Sequence, residues 1–182
     1  MATERPIPPE EYEVIVRHVP IVSVDLIVHH RGGIVLGKRK NAPAEGEWFV
    51  PGGTVLKGET RRQAAHRIAT EELGIEVRID RELGVYEHAY PTAEVPGEHS
   101  KEYLATAYVV TPVTDELRPD DQHSRLGVFT APFPPLHDYV QRYVHDLRCA
   151  GYSYVPVDTT HNSDRSGESP DIVFQNDAEE GR

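Results

Sequence analysis

Two adjacent glutamates, Glu71 and Glu72, close a run of 20 residues from Gly53 in which glycine, acidic and basic residues recur at fixed intervals. Gly53 is followed after five residues by Glu59, after seven more by Arg67, and then by Glu71-Glu72 and Gly74. Carboxylates and backbone carbonyls are hard oxygen donors, the set that suits magnesium, which bridges diphosphate oxygens while keeping several waters. Glycines in a loop ahead of a helix let carbonyls approach an ion closely. Arg67 precedes Glu71 by about one helical turn, so it can pair with and orient a carboxylate. Six residue types at this spacing would coincide by chance in about one chain in 10⁵ at average usage. An ordinary solvated helix with ion pairs is therefore the poorer reading.

These residues need elements to hold them. Residues 60–73 contain no proline or glycine, and Ala64, Ala65, Ile68, Ala69 and Leu73 form a helical stripe that Gly74 is placed to end. Residues 21–30 read as a strand, with Val22, Val24, Leu26 and Val28 on one face and Asp25 on the other. Arg31-Gly32-Gly33 turns that strand back into Ile34-Val35-Leu36, a β-hairpin. A loop over 41–47 leads to the apolar Trp48-Phe49-Val50 and then Pro51-Gly52-Gly53. Further strands are expected at 75–79, 83–88, 103–113 and near 126–129, with a last helix near 137–149. The mixed order makes the chain α+β, a central mixed sheet with helices on its faces. Residues 1–19 are an arm whose short amphipathic segment, 10–18, stops at Pro20; 20–150 form the domain; 151–182 are an acidic polar tail, expected to be flexible.

Composition narrows the function. The formal net charge is -11 and the lysines are Lys38, Lys40, Lys57 and Lys101. That balance disfavours non-specific nucleic-acid binding, which needs a basic face, and it makes locally grouped arginines informative, although the Lys38-Arg39-Lys40 cluster taken alone reads as a solvated turn. It is also the balance that adaptation to a salt-rich cytoplasm would produce. Cys149 is the single cysteine, so neither an intrachain disulfide nor a cysteine-only metal site can form. No apolar run reaches membrane-spanning length and residues 1–13 lack a signal-peptide pattern, so a soluble cytoplasmic domain is expected.

The run from Gly53 resembles the Nudix box, G-x5-E-x7-R-E-U-x-E-E-x-G-U with U bulky and apolar, and Ile75 fits its last position. It departs at Ile68, where the pattern has glutamate, and at Ala69, where it has a bulky apolar residue. Over about residues 10–147 the chain resembles the GDP-mannose mannosyl hydrolase branch of that superfamily, which also lacks this glutamate. Residues 19–25 (Val19 to Asp25), Leu36-Gly37-Lys38-Arg39, Trp48-Phe49-Val50-Pro51-Gly52-Gly53 and Asp120-Asp121-Gln122-His123 carry the likeness. It implies a Nudix-type α/β/α sandwich, a homodimer, and a magnesium-dependent hydrolase (manganese as alternative ion) acting on a small nucleotide sugar.

In that branch water attacks C1 of the sugar and GDP departs. The resemblance implies His123 as general base, a role suited to imidazole near neutral pH. It implies Gly52 (through its carbonyl), Glu72 and Gln122 as metal ligands, with Glu71 beside them. It makes Arg39 and Arg67 the cations facing the diphosphate, Tyr103 a diphosphate neighbour, and Asp25 a carboxylate that positions sugar or base. His88, on an expected strand near the site, is a further substrate-binding candidate. Thr54 stands where the branch has an arginine that assists GDP departure, so either leaving-group stabilisation is weaker or another arginine, such as Arg61 or Arg62, replaces it. Two other readings stay open: a pyrophosphohydrolase that cuts the diphosphate itself, and a Nudix-like binding module without catalysis.

Overall fold

The structure, a computed structural model, describes residues 7–40, 45–93, 95, 100–113, 123–152 and 172–174, with the side chains of 123, 124 and 172–174 outside that description. In chain order the elements are α1 (Pro9–His18), β1 (Ile21–His30), β2 (Gly33–Arg39), β3 (Trp48–Phe49), β4 (Gly52–Thr54), α2 (Arg61–Leu73), β5 (Val77–Tyr90), β6 (Lys101–Pro112), β7 (His123–Phe129), α3 (Asp138–Cys149) and β8 (Ile172–Phe174). The strands form one mixed sheet in the order β5-β6-β1-β2-β7-β8, with β3 attached to β2 and β4 to β1. The β1–β6 and β7–β8 pairings are parallel and the others antiparallel.

The first hairpin determines where the site forms. Arg31 (φ 46°) and Gly32 (φ 77°) both take the left-handed conformation, the pattern of a two-residue turn whose twist matches its strands. β1 and β2 then pair only beside the turn, at His29↔Ile34 and His30↔Gly33. Further on they part, and residues 48–54 fill the gap: β3 pairs with β2 at Lys38↔Trp48, and β4 with β1 at Asp25↔Gly52. The Leu26 N–H donates to the Pro51 carbonyl (2.8 Å) and the Arg39 N–H to the Glu47 carbonyl (3.0 Å). Proline has no N–H to offer, but its carbonyl satisfies the strand.

Alternation along the strands gives the sheet two buried faces. Val24, Leu26, Val28, Tyr108, Val110, Leu126 and Val128 pack with Ala64, Ala65, Ile68, Ala69 and Leu73 of α2. Ile27, Ile34, Leu36, Ala107, Val109 and Phe129 pack with Val140, Tyr143, Val144 and Leu147 of α3. The expected mixed sheet with helices on both faces is thus observed. Val22 has the parity of the α2 face but is 47% exposed, beside the equally open Leu104. It lies beyond the reach of α2.

Two local expectations change. The separate strands at 75–79 and 83–88 are one strand, β5, held by continuous antiparallel pairing to β6. Register shifts between Ile79 and Arg81 and between Glu82 and Gly84 absorb the polar interruption that reads as a break in sequence. Within the polar tail, residues 172–174 form β8 and pair with β7 at Leu126↔Ile172, so these three are held in the sheet.

Candidate active site

The glutamate-bearing helix is delimited by its own end residues. Thr60 is the N-cap: its hydroxyl accepts the Gln63 N–H (3.2 Å), and the Gln63 side chain accepts the Thr60 N–H (2.8 Å), a reciprocal capping box. At the other end Gly74 is left-handed (φ 65°), a conformation glycine adopts without a Cβ penalty.

Arg67 is the hub of the loop ahead of this helix. Its Nε donates to Glu59 Oε2 (3.1 Å) and its Nη2 to Glu59 Oε1 (2.6 Å), a bidentate pair. The same Nη2 donates to the Thr54 carbonyl (2.9 Å), and Nη1 donates to Glu71 Oε2 (2.8 Å). Glu59 also accepts the Leu56 N–H (2.7 Å). Hydrogen bonding to Arg67 draws the Glu59 carboxyl below its ordinary range, and the same contact raises the Arg67 pKa. Arg67 therefore braces the 52–59 loop, its guanidinium bonded to protein oxygens.

Glu72 is 5% exposed and its Oε2 accepts the Gly52 N–H (3.1 Å). The structure thus brings the expected ligands Gly52 and Glu72 together, while Glu71 sits outward, half-exposed, on Arg67. Ile68 is 1% exposed and packs under the loop; a Cβ on Gly53 would stand 3.2 Å from its Cγ1. Where the box has a carboxylate, this chain has core. The buried carboxylate and neighbouring loop backbone fit a hard divalent cation such as magnesium. Among the described residues no group of three or more His, Cys, Asp or Glu gathers to hold a metal.

On the other side of Gly52 lies Asp25, its register partner. A Cβ on Gly52 would come within 2.4 Å of Asp25 Oδ1, so only glycine lets the carboxylate lie against the loop. Asp25 Oδ2 accepts the Tyr143 hydroxyl (2.5 Å), and that hydroxyl is also 3.1 Å from His88 Nε2. His88 Nδ1 stands 4.0 Å from Asp25 Oδ2. Burial pushes the Asp25 carboxyl up to about 6, against the opposing pull of the Tyr143 hydrogen bond and the Arg39 charge. Burial pushes His88 down to about 4, helped by the charges of His137 and Arg142.

The remaining candidates separate. Arg39 is the register partner of His123, just past a bulge in the β2–β7 pairing, and its guanidinium lies 6.0 Å from the Phe49 ring centroid. The backbones of the expected base and cation are thus neighbours; the His123 side chain and Gln122 lie outside the described residues. Tyr103 meets Tyr90 edge-on (6.1 Å), and the Lys101 ammonium lies 5.0 Å from its ring. Arg61 donates to Thr106 (3.0 Å) and faces Glu82 (3.6 Å). Sequence reasoning missed Tyr139 and Tyr143, whose signal was their i, i+4 spacing on α3.

The NUDIX domain family matches residues 19–149. A Haloferax volcanii protein named low-salt glycan biosynthesis protein Agl8 is 55% identical over 141 residues, 78% of this chain and 90% of that one. A Methanocaldococcus jannaschii protein named ADP-ribose pyrophosphatase is 43% identical over 67 residues, 37% of this chain and 40% of that one. The crystal structure of a MutT NUDIX hydrolase from Burkholderia pseudomallei has a TM-score of 0.57 and 30% identity, covering 70% of this chain and 98% of that one.

Proposed function

The chain belongs to the NUDIX family, and from that membership we propose that it is a metal-dependent hydrolase of a nucleotide sugar, releasing GDP and a free hexose such as mannose. The observation that carries the reading is Ile68, buried beneath Gly53 where the box has a glutamate. It removes a carboxylate that cleavage at phosphorus would use to gather several metals, and leaves Glu72 beside Gly52. A relative named for glycan biosynthesis fits a substrate that carries an activated sugar.

In this reading Glu72, the Gly52 carbonyl and Gln122 would hold magnesium, or manganese, which when bound would supply charge neutralisation for the leaving diphosphate. Arg39 faces the diphosphate and Tyr103 lies near it. His123 takes the proton from a water whose oxygen bonds to sugar C1 as the C1–O bond to GDP breaks, inverting that carbon. Asp25 positions the sugar or the base, and His88 binds substrate beside it. Glu71 and Arg67 act through the loop, holding its carbonyls in place. The assembly is a homodimer, which light scattering on the purified chain checks.

The second reading is cleavage of the diphosphate, favoured by the intact Glu59, Glu71 and Glu72 and by a partial relative named ADP-ribose pyrophosphatase. Hydrolysis of a nucleotide-sugar panel in ¹⁸O-labelled water separates the two. Label in the free sugar is expected; label in a phosphate product would overturn attack at carbon.

A further inference from the structure

We propose that α3 belongs to the substrate site, with Tyr143 and Tyr139 acting as positioning residues that hold Asp25 and His88 in one orientation and His88 in one tautomer. The two tyrosines stand four residues apart on α3 and so share a face. They grip His88 in different ways. The Tyr139 ring stacks on the imidazole, with centroids 4.1 Å apart and planes 12° from parallel. That ring is itself pinned, because the Tyr139 hydroxyl accepts the Ala89 N–H (2.7 Å) and donates to the Ala89 carbonyl (2.7 Å). Tyr143, 1% exposed, approaches Nε2 in the imidazole edge while bonding Asp25.

The proton count selects the tautomer. A tyrosine hydroxyl has one proton to give, and at 2.5 Å it goes to Asp25 Oδ2. The 3.1 Å contact with His88 then needs Nε2 to carry the hydrogen. His88 is neutral near pH 7, since burial has driven its pKa down, so Nδ1 keeps its lone pair and faces Asp25 Oδ2 at 4.0 Å. The pair presents two acceptors on one side, an arrangement suited to a hydrogen-bond donor such as a sugar hydroxyl or a nucleobase N–H. A hydroxyl that only filled space in the core would have no reason to join two polar side chains from β1 and β5. Packing alone is supplied by the Tyr143 ring, which meets Tyr86 edge-on at 4.7 Å.

The effect on turnover rests on Asp25 contacting substrate, as proposed above; the tautomer does not. Long-range proton–nitrogen spectra of the ¹⁵N-labelled full chain, with His88 assigned by its absence from His88→Gln, read the tautomer directly. A single Nε2–H form is expected in the unmodified chain and a mixture in Tyr143→Phe. Tyr143→Phe should lower kcat/KM about tenfold, as loss of a group that orients another does, with the magnesium requirement unchanged. In an Asp25→Asn background the same change should add nothing. An unchanged His88 spectrum in Tyr143→Phe, or an independent loss in the double variant, would overturn the proposal. If Asp25→Asn alone is silent, the substrate role of Asp25 falls and the spectrum still judges the clamp. Should Tyr143→Phe fail to fold, Tyr139→Leu tests the stacking arm by the same spectrum: the imidazole should lose its single form, and retention would overturn the clamp.

Discussion

Glu71 and Glu72 are neighbours in sequence and differ in everything that matters for metal binding. Glu72 is buried against the Gly52 backbone, whereas Glu71 pairs with Arg67 in the open. Glu72→Gln should therefore raise the magnesium concentration for half-maximal activity about tenfold or more, and Glu71→Gln much less; metal titrations of the rate check this. Ile68 invites the opposite experiment. Restoring the glutamate of the family pattern by Ile68→Glu would place a carboxylate in the packed layer between α2 and Gly53. Burial of a charge without partners should cost about 3 kcal/mol or more, seen as a fall of about 6 °C or more in the melting temperature. The buried pair Asp25 and His88 makes a prediction in pH. The folded-state value of His88 is about 4 against an ordinary 6.5, so the unfolded chain takes up that proton first and stability falls as pH drops from 6.5 to 4. The value of Asp25 is about 6 against 3.8, so the folded chain takes up its proton first and stability rises over nearly the same window. The two trends offset each other. Asp25→Asn should expose the histidine trend, a loss on the order of 2 kcal/mol between pH 6.5 and 4, read from urea midpoints in metal-free buffer.

Helix α2 presents its carboxylates because both of its ends are sharply defined, by the Thr60–Gln63 box and by left-handed Gly74. Gly74→Ala would force a side chain into that conformation, costing about 1 kcal/mol. A melting-temperature drop of about 2–4 °C is expected, with metal dependence shifted because Glu72 lies within the last turn. The helix and its glycine stop were legible from sequence, since propensity and glycine placement act over a few residues, while the Thr60–Gln63 box came from the structure. The β5 strand was not: pairing with β6 over its whole length outweighs the local polar break at 80–82. The role of Arg67 was half legible. Its pairing with Glu71 follows from spacing on one helix, but the bond to Glu59 and the Thr54 carbonyl exists only once the loop folds back.

At the scale of the molecule, charge is the dominant feature. With a net charge of -11 and four lysines, self-repulsion is long-ranged at low ionic strength and screened within about 3 Å at 1 M salt. Activity and melting temperature should hold or rise as potassium chloride is raised to about 1 M; a progressive loss would count against adaptation to a salt-rich interior. The site sits where the sheet opens between β1 and β2 and residues 48–54 enter the gap.

By itself the sequence determined the family, the helix that carries Glu72, the first hairpin and the departure at Ile68. All of these rest on short-range spacing, which survives in a linear string. Only the tertiary structure decided that Asp25 lies against Gly52, that Arg67 braces a loop, and that Tyr143 of α3 reaches across 118 residues to Asp25 and 55 to His88. Those contacts join residues remote in the chain, and no local propensity or period encodes which strand face meets which helix.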